Sequence, residues 1–265
     1  MSAAPAPAMT ELVLFNAPQS TCSQRVRFVL QAKGLPFEER KLDLFAGDQL
    51  KPDYLAINPN GVVPSLMHDG RAIIDSSVIM EYLDEVFPGP EHFVPEDPVA
   101  RAAMRALMRF IDEVPAAAIR VPSYNLAFLP AFQAMTEEEF RALAESKPLR
   151  KEFLLTMGRA GFSDAEMKTA MERLTRSVKR MDDAIRASGG PFMLGRRITL
   201  ADVAIMPVIV RLEDINLTSM WDRHPAVGTW LKAIQAHHAY AKTYYFGSLL
   251  TEKYPHLRKQ LSAAG

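Results

Sequence analysis

The chain has 265 residues, no formal net charge, and an ordinary balance of 48% hydrophobic and 23% charged residues. That length is sufficient for two modest domains, and a neutral chain lacks the basic excess typical of proteins that bind nucleic acids or anionic membranes. The single cysteine, Cys22, excludes an internal disulfide and a cysteine-rich zinc site.

Residues 1–9 are rich in alanine and proline and lack the basic and apolar regions of a signal peptide. We interpret them as a disordered tail. No apolar run in the sequence reaches the ~20 residues that a membrane-spanning helix requires. We therefore expect a cytoplasmic protein with no membrane partner and no nucleic-acid partner.

Residues 10–88 alternate between short strands and helices. The predicted elements are a strand at 12–15, a helix at 20–33, strands at 37–44, 62–67 and 72–74, and a helix at 76–87. Gly34 is a typical helix-ending residue, and Asp69-Gly70 is a typical hairpin turn. The order β-α-β followed by β-β-α predicts a four-stranded mixed sheet.

After a proline-rich linker at 89–98, the hydrophobic pattern becomes helical. Apolar residues recur three and four apart over residues 167–185, as in a helical bundle. Two helices are predicted to begin with a capping box, formed by Ser163 with Glu166 and by Thr199 with Asp202. We predict an all-α domain over residues 99–265, although the pattern of residues 121–163 does not define individual elements.

The six histidines show none of the spacings of zinc motifs. His237 and His238 are adjacent, so we expect them to point to different faces of a helix. The sequence thus predicts solvent-exposed histidines and no metal site.

Ser20 begins the segment STCSQRVR, between the first predicted strand and the first predicted helix. A hydroxyl there lies beside a helix N-terminus, where backbone N–H groups and the helix dipole favour an anion. A serine that only caps the helix explains the same pattern.

Two later segments allow similar alternatives. Pro64 belongs at a strand start or edge, where it protects that edge or leaves neighbouring backbone groups free to pair with an extended peptide. Ser76 is predicted to cap the helix at 76–87. The amides and hydroxyl of Ser76 suit a ligand carboxylate, and Asp75 suits a ligand ammonium.

In order and spacing, these segments resemble the glutathione transferase superfamily over nearly the whole chain. STCSQRVR is similar to the serine motif of the zeta class, and NPNGVVPSL to the loop that ends in a cis-proline. DGRAIIDSSVIMEYLDE and ITLADV resemble two further motifs of the superfamily. The resemblance implies a thioredoxin-like glutathione-binding domain and an all-helical domain that supplies the second substrate pocket. It also implies a homodimer.

The resemblance also implies glutathione contacts. It assigns the thiolate to Ser20, the cysteinyl unit to the backbone of Val63 beside a cis Pro64, the γ-glutamyl end to Asp75 and Ser76, and, more loosely, the glycine carboxylate to Gln49. Lowering a thiol pKa of about 8.5 by ~2 units requires roughly 2.7 kcal/mol. A hydrogen bond to a charged group contributes ~1.5–3 kcal/mol and a helix end ~0.3–1 kcal/mol. One serine on one helix end is therefore sufficient.

Two groups within the superfamily share features with this chain. The SxCS run and RLEDINLTSMW at 211–221 resemble bacterial hydroquinone reductive dehalogenases, in which the cysteine resolves a glutathione adduct. That resemblance implies a catalytic Cys22, and a small helix residue packed under the site is the alternative. Residues 61–88, and the segment continuing to 184, resemble bacterial β-aryl-etherases, which use glutathione to displace a phenol from an ether.

We predict a glutathione transferase of aromatic catabolism or detoxification, acting by nucleophilic substitution on an apolar, aromatic electrophile. Reductive dehalogenation or isomerisation through Cys22 is one alternative, and a non-catalytic glutathione-binding module is another. Tyr124, Phe128 and Phe132 are candidates for the apolar wall of the substrate pocket, with core packing as their other possible role.

Overall fold

The computed structural model describes residues 11–263, so the predicted tail at 1–9 lies outside the described part. The strands are β1 (Leu12–Asn16), β2 (Glu38–Lys41), β3 (Ser65–His68) and β4 (Arg71–Ile74). They form one sheet in the order β2-β1-β3-β4. β1 pairs parallel with β2 and antiparallel with β3, and β3 pairs antiparallel with β4. The predicted mixed sheet is confirmed.

The helices that accompany the sheet are α1 (Thr21–Ala32), α2 (Pro52–Leu55) and α3 (Ser76–Val86), with a 3₁₀ turn at Asp48–Leu50. α1 packs against α3 and also against helices of the second half of the chain. Because neighbours cover it on several sides, even Arg25 and Arg27 of the STCSQRVR segment are 2% and 1% exposed.

The second half of the chain is built of helices, which confirms its predicted class. They are α4 (Pro98–Glu113), α5 (Pro115–Ala118), α6 (Arg120–Ala127), α7 (Leu129–Gln133), α8 (Glu137–Glu145), α9 (Lys151–Met157), α10 (Asp164–Ser188), α11 (Leu200–Asp214), α12 (Pro225–Gln235), α13 (His238–Thr243), α14 (Leu250–Lys253) and α15 (Pro255–Ala263). Within residues 11–263, no helix combines the length and apolarity needed to cross a bilayer. The domain boundaries at 88 and 98 remain a prediction, although α3 ends and α4 begins near them.

Three predictions about single elements were wrong. The third strand begins at Ser65 rather than residue 62, because the side chains of Tyr54 and Asn58 donate to the Val62 carbonyl at 2.6 and 2.9 Å. The second strand ends at Lys41, where its partner β1 also ends. The N-cap of α3 is Asp75 rather than Ser76, because the Asp75 carboxylate accepts the amides of Ser77 and Val78. Ser76 is already the first helical residue.

The adjacent histidines do not point to different helix faces, contrary to the prediction. His237 precedes α13 and caps it, with its Nδ1 accepting the Ala239 amide at 3.2 Å. The Nε2 atoms of His237 and His238 each lie 3.1 Å from Glu91. The Nε2 of His237 therefore carries the proton and donates to Glu91, so a metal ion there would have to displace that proton. The absence of a metal site remains a prediction.

Two buried arginines of α1 hold the halves of the molecule together. Arg25 donates from Nε to the Ala204 carbonyl of α11 at 2.8 Å and forms an ion pair with Asp112 of α4. Arg27 donates to the Thr243 carbonyl of α13 at 2.9 Å. Because charge-assisted hydrogen bonds are strong and directional, α1 and its N-terminus have a fixed position relative to the helical half.

The predicted capping box of Thr199 and Asp202 at the start of α11 forms a buried hydrogen-bond network. Asp202 is fully buried, and its carboxylate accepts from the Met193 amide at 3.0 Å and from the Trp230 indole at 3.0 Å. It also accepts from the Thr199 amide and hydroxyl at 2.9 and 2.8 Å. The box therefore ties the segment before α11 and the helix α12 to the start of α11.

Candidate functional site

A cleft lies between the sheet domain and the helical half. Predicted site residues from both halves line it: Ser20, Cys22, Gln49, Val63, Tyr124, Phe128 and Phe132. Pro64, Asp75 and Ser76 are outside this lining. Pro64 and Ser76 are buried, whereas Asp75 is exposed at the start of α3.

Ser20 is the N-cap of α1, as predicted. Its Oγ accepts the Ser23 amide at 3.3 Å, and no described residue accepts the hydroxyl hydrogen. The amides of Thr21 and Cys22 likewise donate to no acceptor in residues 11–263, as is usual in the first turn of a helix. The N-terminus of α1 therefore offers the hydroxyl of Ser20 and two amide donors to an anion.

The Val63–Pro64 peptide bond is cis, as the resemblance implied. Within the described part of the chain, neither the N–H nor the C=O of Val63 has a hydrogen-bond partner. Val63 is 8% exposed, so its backbone is largely shielded from water. An unpaired backbone segment just before β3 suits an extended peptide ligand.

Asp75 accepts the Ser77 and Val78 amides through Oδ1 alone, at 2.9 and 3.2 Å. Among residues 11–263, nothing bonds to its second oxygen, which remains available to a cation. The hydroxyl of Ser76 accepts a long bond of 3.5 Å from Arg25.

Gln49 is 4% exposed and donates from Nε2 to the Leu44 carbonyl at 3.3 Å, which leaves its Oε1 buried with no partner. Gln19, next to Ser20, has a similarly unpartnered Oε1. A buried polar atom without a partner costs roughly 1–3 kcal/mol. Both atoms are acceptors, so they suit the N–H groups of a bound peptide. To bind a carboxylate, the side-chain amide of Gln49 would have to flip and present its nitrogen as a donor.

Aromatic side chains form the opposite wall. Tyr124 makes edge contacts with Phe128 and Phe153, with ring centroids 4.6 and 4.9 Å apart. Phe132 stacks on Phe45 of the sheet domain at 6.3 Å. Tyr254 meets Phe128 edge-on at 5.4 Å and also lines the cleft. Phe45 and Tyr254 were not predicted, because both reach the cleft only through tertiary packing.

Cys22 is a free, partly exposed thiol in the first turn of α1. It lines the cleft on the same helix end as Ser20. The structure therefore favours a position at the cleft wall over one packed beneath the site.

The cleft also holds cations that the sequence analysis missed: Arg120, Lys147, Arg150 and Arg211. Arg211 is buried, donates to the Gln19 carbonyl at 2.7 Å and lies 3.7 Å from Asp214. Burial lowers the pKa of Lys147 and of Arg150. None of the residues that line the cleft is acidic.

Two known protein-family domains match this chain. The family "Glutathione S-transferase, N-terminal domain" matches residues 14–91, and "Glutathione S-transferase, C-terminal domain" matches residues 159–245. LigF from Sphingobium is 30% identical over 177 residues, covering 66% of this chain and 68% of that protein. The chain belongs to the glutathione S-transferase superfamily. Glutathione is the cofactor of these transferases, and the unpaired groups of Ser20 and Val63 fit a tripeptide with a thiol.

Two further similarities bear on this transferase. Mouse maleylacetoacetate isomerase is 28% identical over 203 residues, covering 76% of this chain and 78% of that protein. The crystal structure of the β-etherase LigF superposes with a TM-score of 0.78 at 25% identity, covering 88% of this chain and 98% of LigF. The transferase thus resembles enzymes of more than one reaction type.

Proposed function

We propose that this transferase catalyses nucleophilic substitution by glutathione on an aromatic electrophile, such as the cleavage of a β-aryl ether. The observation that carries the proposal is the donor group at the start of α1, with the free hydroxyl of Ser20, in the same cleft as the aromatic wall. The similarity to LigF supports the ether as substrate.

Bound glutathione supplies the thiolate nucleophile of this reaction. Ser20 donates its hydroxyl hydrogen to that sulfur, and the Thr21 and Cys22 amides add the positive end of the α1 dipole. The backbone of Val63 would hold the cysteinyl unit. Asp75 and Ser76 would hold the γ-glutamyl end, and Gln49 the glycine end. These contacts orient the thiol without taking part in bond making.

Turnover of aryl ethers, haloaromatics and maleyl compounds in the presence of glutathione tests the reaction class. We expect phenol release from aryl ethers or halide release from haloaromatics, in each case dependent on glutathione. Isomerisation of maleyl compounds with no substitution activity would contradict the proposal and favour the isomerase alternative. Retention on glutathione resin without a thiolate absorbance band would indicate the non-catalytic module.

A second candidate reaction, reductive dehalogenation or isomerisation through Cys22, is favoured by the position of Cys22 on the cleft wall. Under the substitution mechanism, C22S keeps kcat/KM within about twofold, because serine retains the size of the side chain and the sulfur contributes no bond. Under the reductive mechanism, C22S abolishes turnover, since no thiol remains to resolve the adduct. Steady-state rates of the wild-type enzyme and of C22S, with an aryl ether and a halohydroquinone, separate the two mechanisms.

We also propose a homodimer. Three exposed valines on α3 and α4 support it: Val78, Val86 and Val99 are 55%, 41% and 76% exposed. Burying such residues in an interface stabilises an oligomer by removing apolar surface from water. Sedimentation is expected to give the mass of two chains, and V78D with V99D to give one. A wild-type monomer at micromolar concentration would contradict the proposal.

A further inference from the structure

Arg120 and Arg150 form a pair of like charges inside the cleft. Both line it, and burial, together with the positive charge of Arg120, lowers the pKa of Arg150. Two positive charges therefore share one cleft, and no carboxylate is among the residues that line it.

Neither member of this pair has an acidic partner among residues 11–263. Arg150 donates only to the Leu149 carbonyl, at 2.9 Å, and Arg120 makes no side-chain hydrogen bond to a described residue. A guanidinium carries five N–H donors, so nearly all of those in the pair are unused. Each is partly removed from water. Like charges in that setting repel and are poorly solvated, and an anion relieves both costs.

The position of the pair indicates which ligand brings the anion. Arg120 and Arg150 line the same cleft as Tyr124 of the aromatic wall and Cys22 at the start of α1. The pair therefore lies in the cleft that the wall for the electrophile and the site of the nucleophile share. Lys147 is different: it adjoins Pro148, which packs near Gly61 on the glutathione side, so we do not include it.

We propose that Arg120 and Arg150 form a subsite for an anionic group, a carboxylate above all, carried by the aromatic electrophile. The planar guanidinium fork matches a carboxylate with two parallel hydrogen bonds, whereas a neutral ether or ester offers only weak acceptors. The inference rests on the proposed function, because it places the electrophile beside bound glutathione. It changes the substrate class from simply apolar to aromatic and anionic.

Binding of two matched conjugates tests the subsite without turnover. The probes are S-(4-carboxy-2-nitrophenyl)glutathione and its aryl methyl ester, which differ in one negative charge. We expect calorimetry to show that the wild-type enzyme binds the carboxylate conjugate about 10- to 100-fold more tightly. R120Q and R150Q are expected to lose that preference, with unchanged affinity for glutathione and for the ester. R150K is expected to retain part of it.

R141Q is the matched control, because Arg141 is exposed on α8 and does not line the cleft. It removes the same charge and is expected to keep the full preference. Equal wild-type affinity for both conjugates would overturn the subsite while leaving glutathione binding intact. A loss of glutathione affinity in R120Q and R150Q would also overturn it, since the pair would then hold the cofactor. If the wild-type enzyme binds neither glutathione nor a conjugate, the proposed function itself fails.

Discussion

Replacing Ser20 with alanine is expected to lower kcat/KM for conjugation about 10- to 100-fold, the equivalent of a charge-assisted hydrogen bond of ~1.5–3 kcal/mol. The hydroxyl of Ser20 is a side-chain donor at the start of α1 that no described residue engages. Its loss leaves the sulfur with the two amides and the helix dipole, which contribute less. Steady-state kinetics with saturating glutathione measure the effect.

The control must separate catalysis from capping, because S20A also removes an N-cap worth about 1 kcal/mol. Ser163 caps α10 on the surface with the same bond to the amide three residues on. S163A is therefore expected to lose similar stability with unchanged activity. S20G, in which glycine retains most of the capping preference, is expected to be as inactive as S20A. Activity of S20A within twofold of the wild type would contradict the role of Ser20.

Replacing Asp202 with alanine is expected to lower the free energy of unfolding by about 3–5 kcal/mol. The carboxylate is fully buried and accepts four hydrogen bonds, from Met193, Thr199 and Trp230. Alanine leaves those donors without an acceptor and without access to water. Denaturant unfolding, with the m-value held constant, measures the change.

Glu139 provides the matched comparison, because it forms the same kind of box with Thr136 in an exposed position. Water can replace its carboxylate, so E139A is expected to cost only ~1 kcal/mol. D202N, which keeps one acceptor oxygen, is expected to fall between the two. If D202A and E139A lowered the free energy of unfolding equally, burial of the capping box at Asp202 would add nothing to stability.

The sequence was informative where function depends on the local backbone. Ser20 at a helix start and Pro64 before a strand follow from neighbouring residues, and the four-stranded mixed sheet follows from the strand pattern. Errors of one residue arose where two neighbours are equally suitable. Both Asp75 and Ser76 are good caps, and only the structure shows that the carboxylate of Asp75 reaches the amides.

The helical wall of the cleft could not be predicted in the same way. It derives mainly from α6 to α9, a succession of helices no longer than nine residues. Such short elements show no clear periodicity, and tertiary contacts decide where they end. Arg150 and Tyr254 reach the cleft through packing of distant segments. The two matched family domains, at 14–91 and 159–245, leave residues 92–158 between them. The proposed substrate wall therefore lies in the part that sequence patterns describe least.

The most direct measurement is a pH titration of the ultraviolet thiolate band in the complex with glutathione. Stabilisation of the thiolate by Ser20 predicts a midpoint in the wild-type enzyme about two pH units below the ~8.5 of a free thiol, and a midpoint one to two units higher in S20G than in the wild type. A wild-type midpoint equal to that of free glutathione, or one that S20G leaves unchanged, would contradict it.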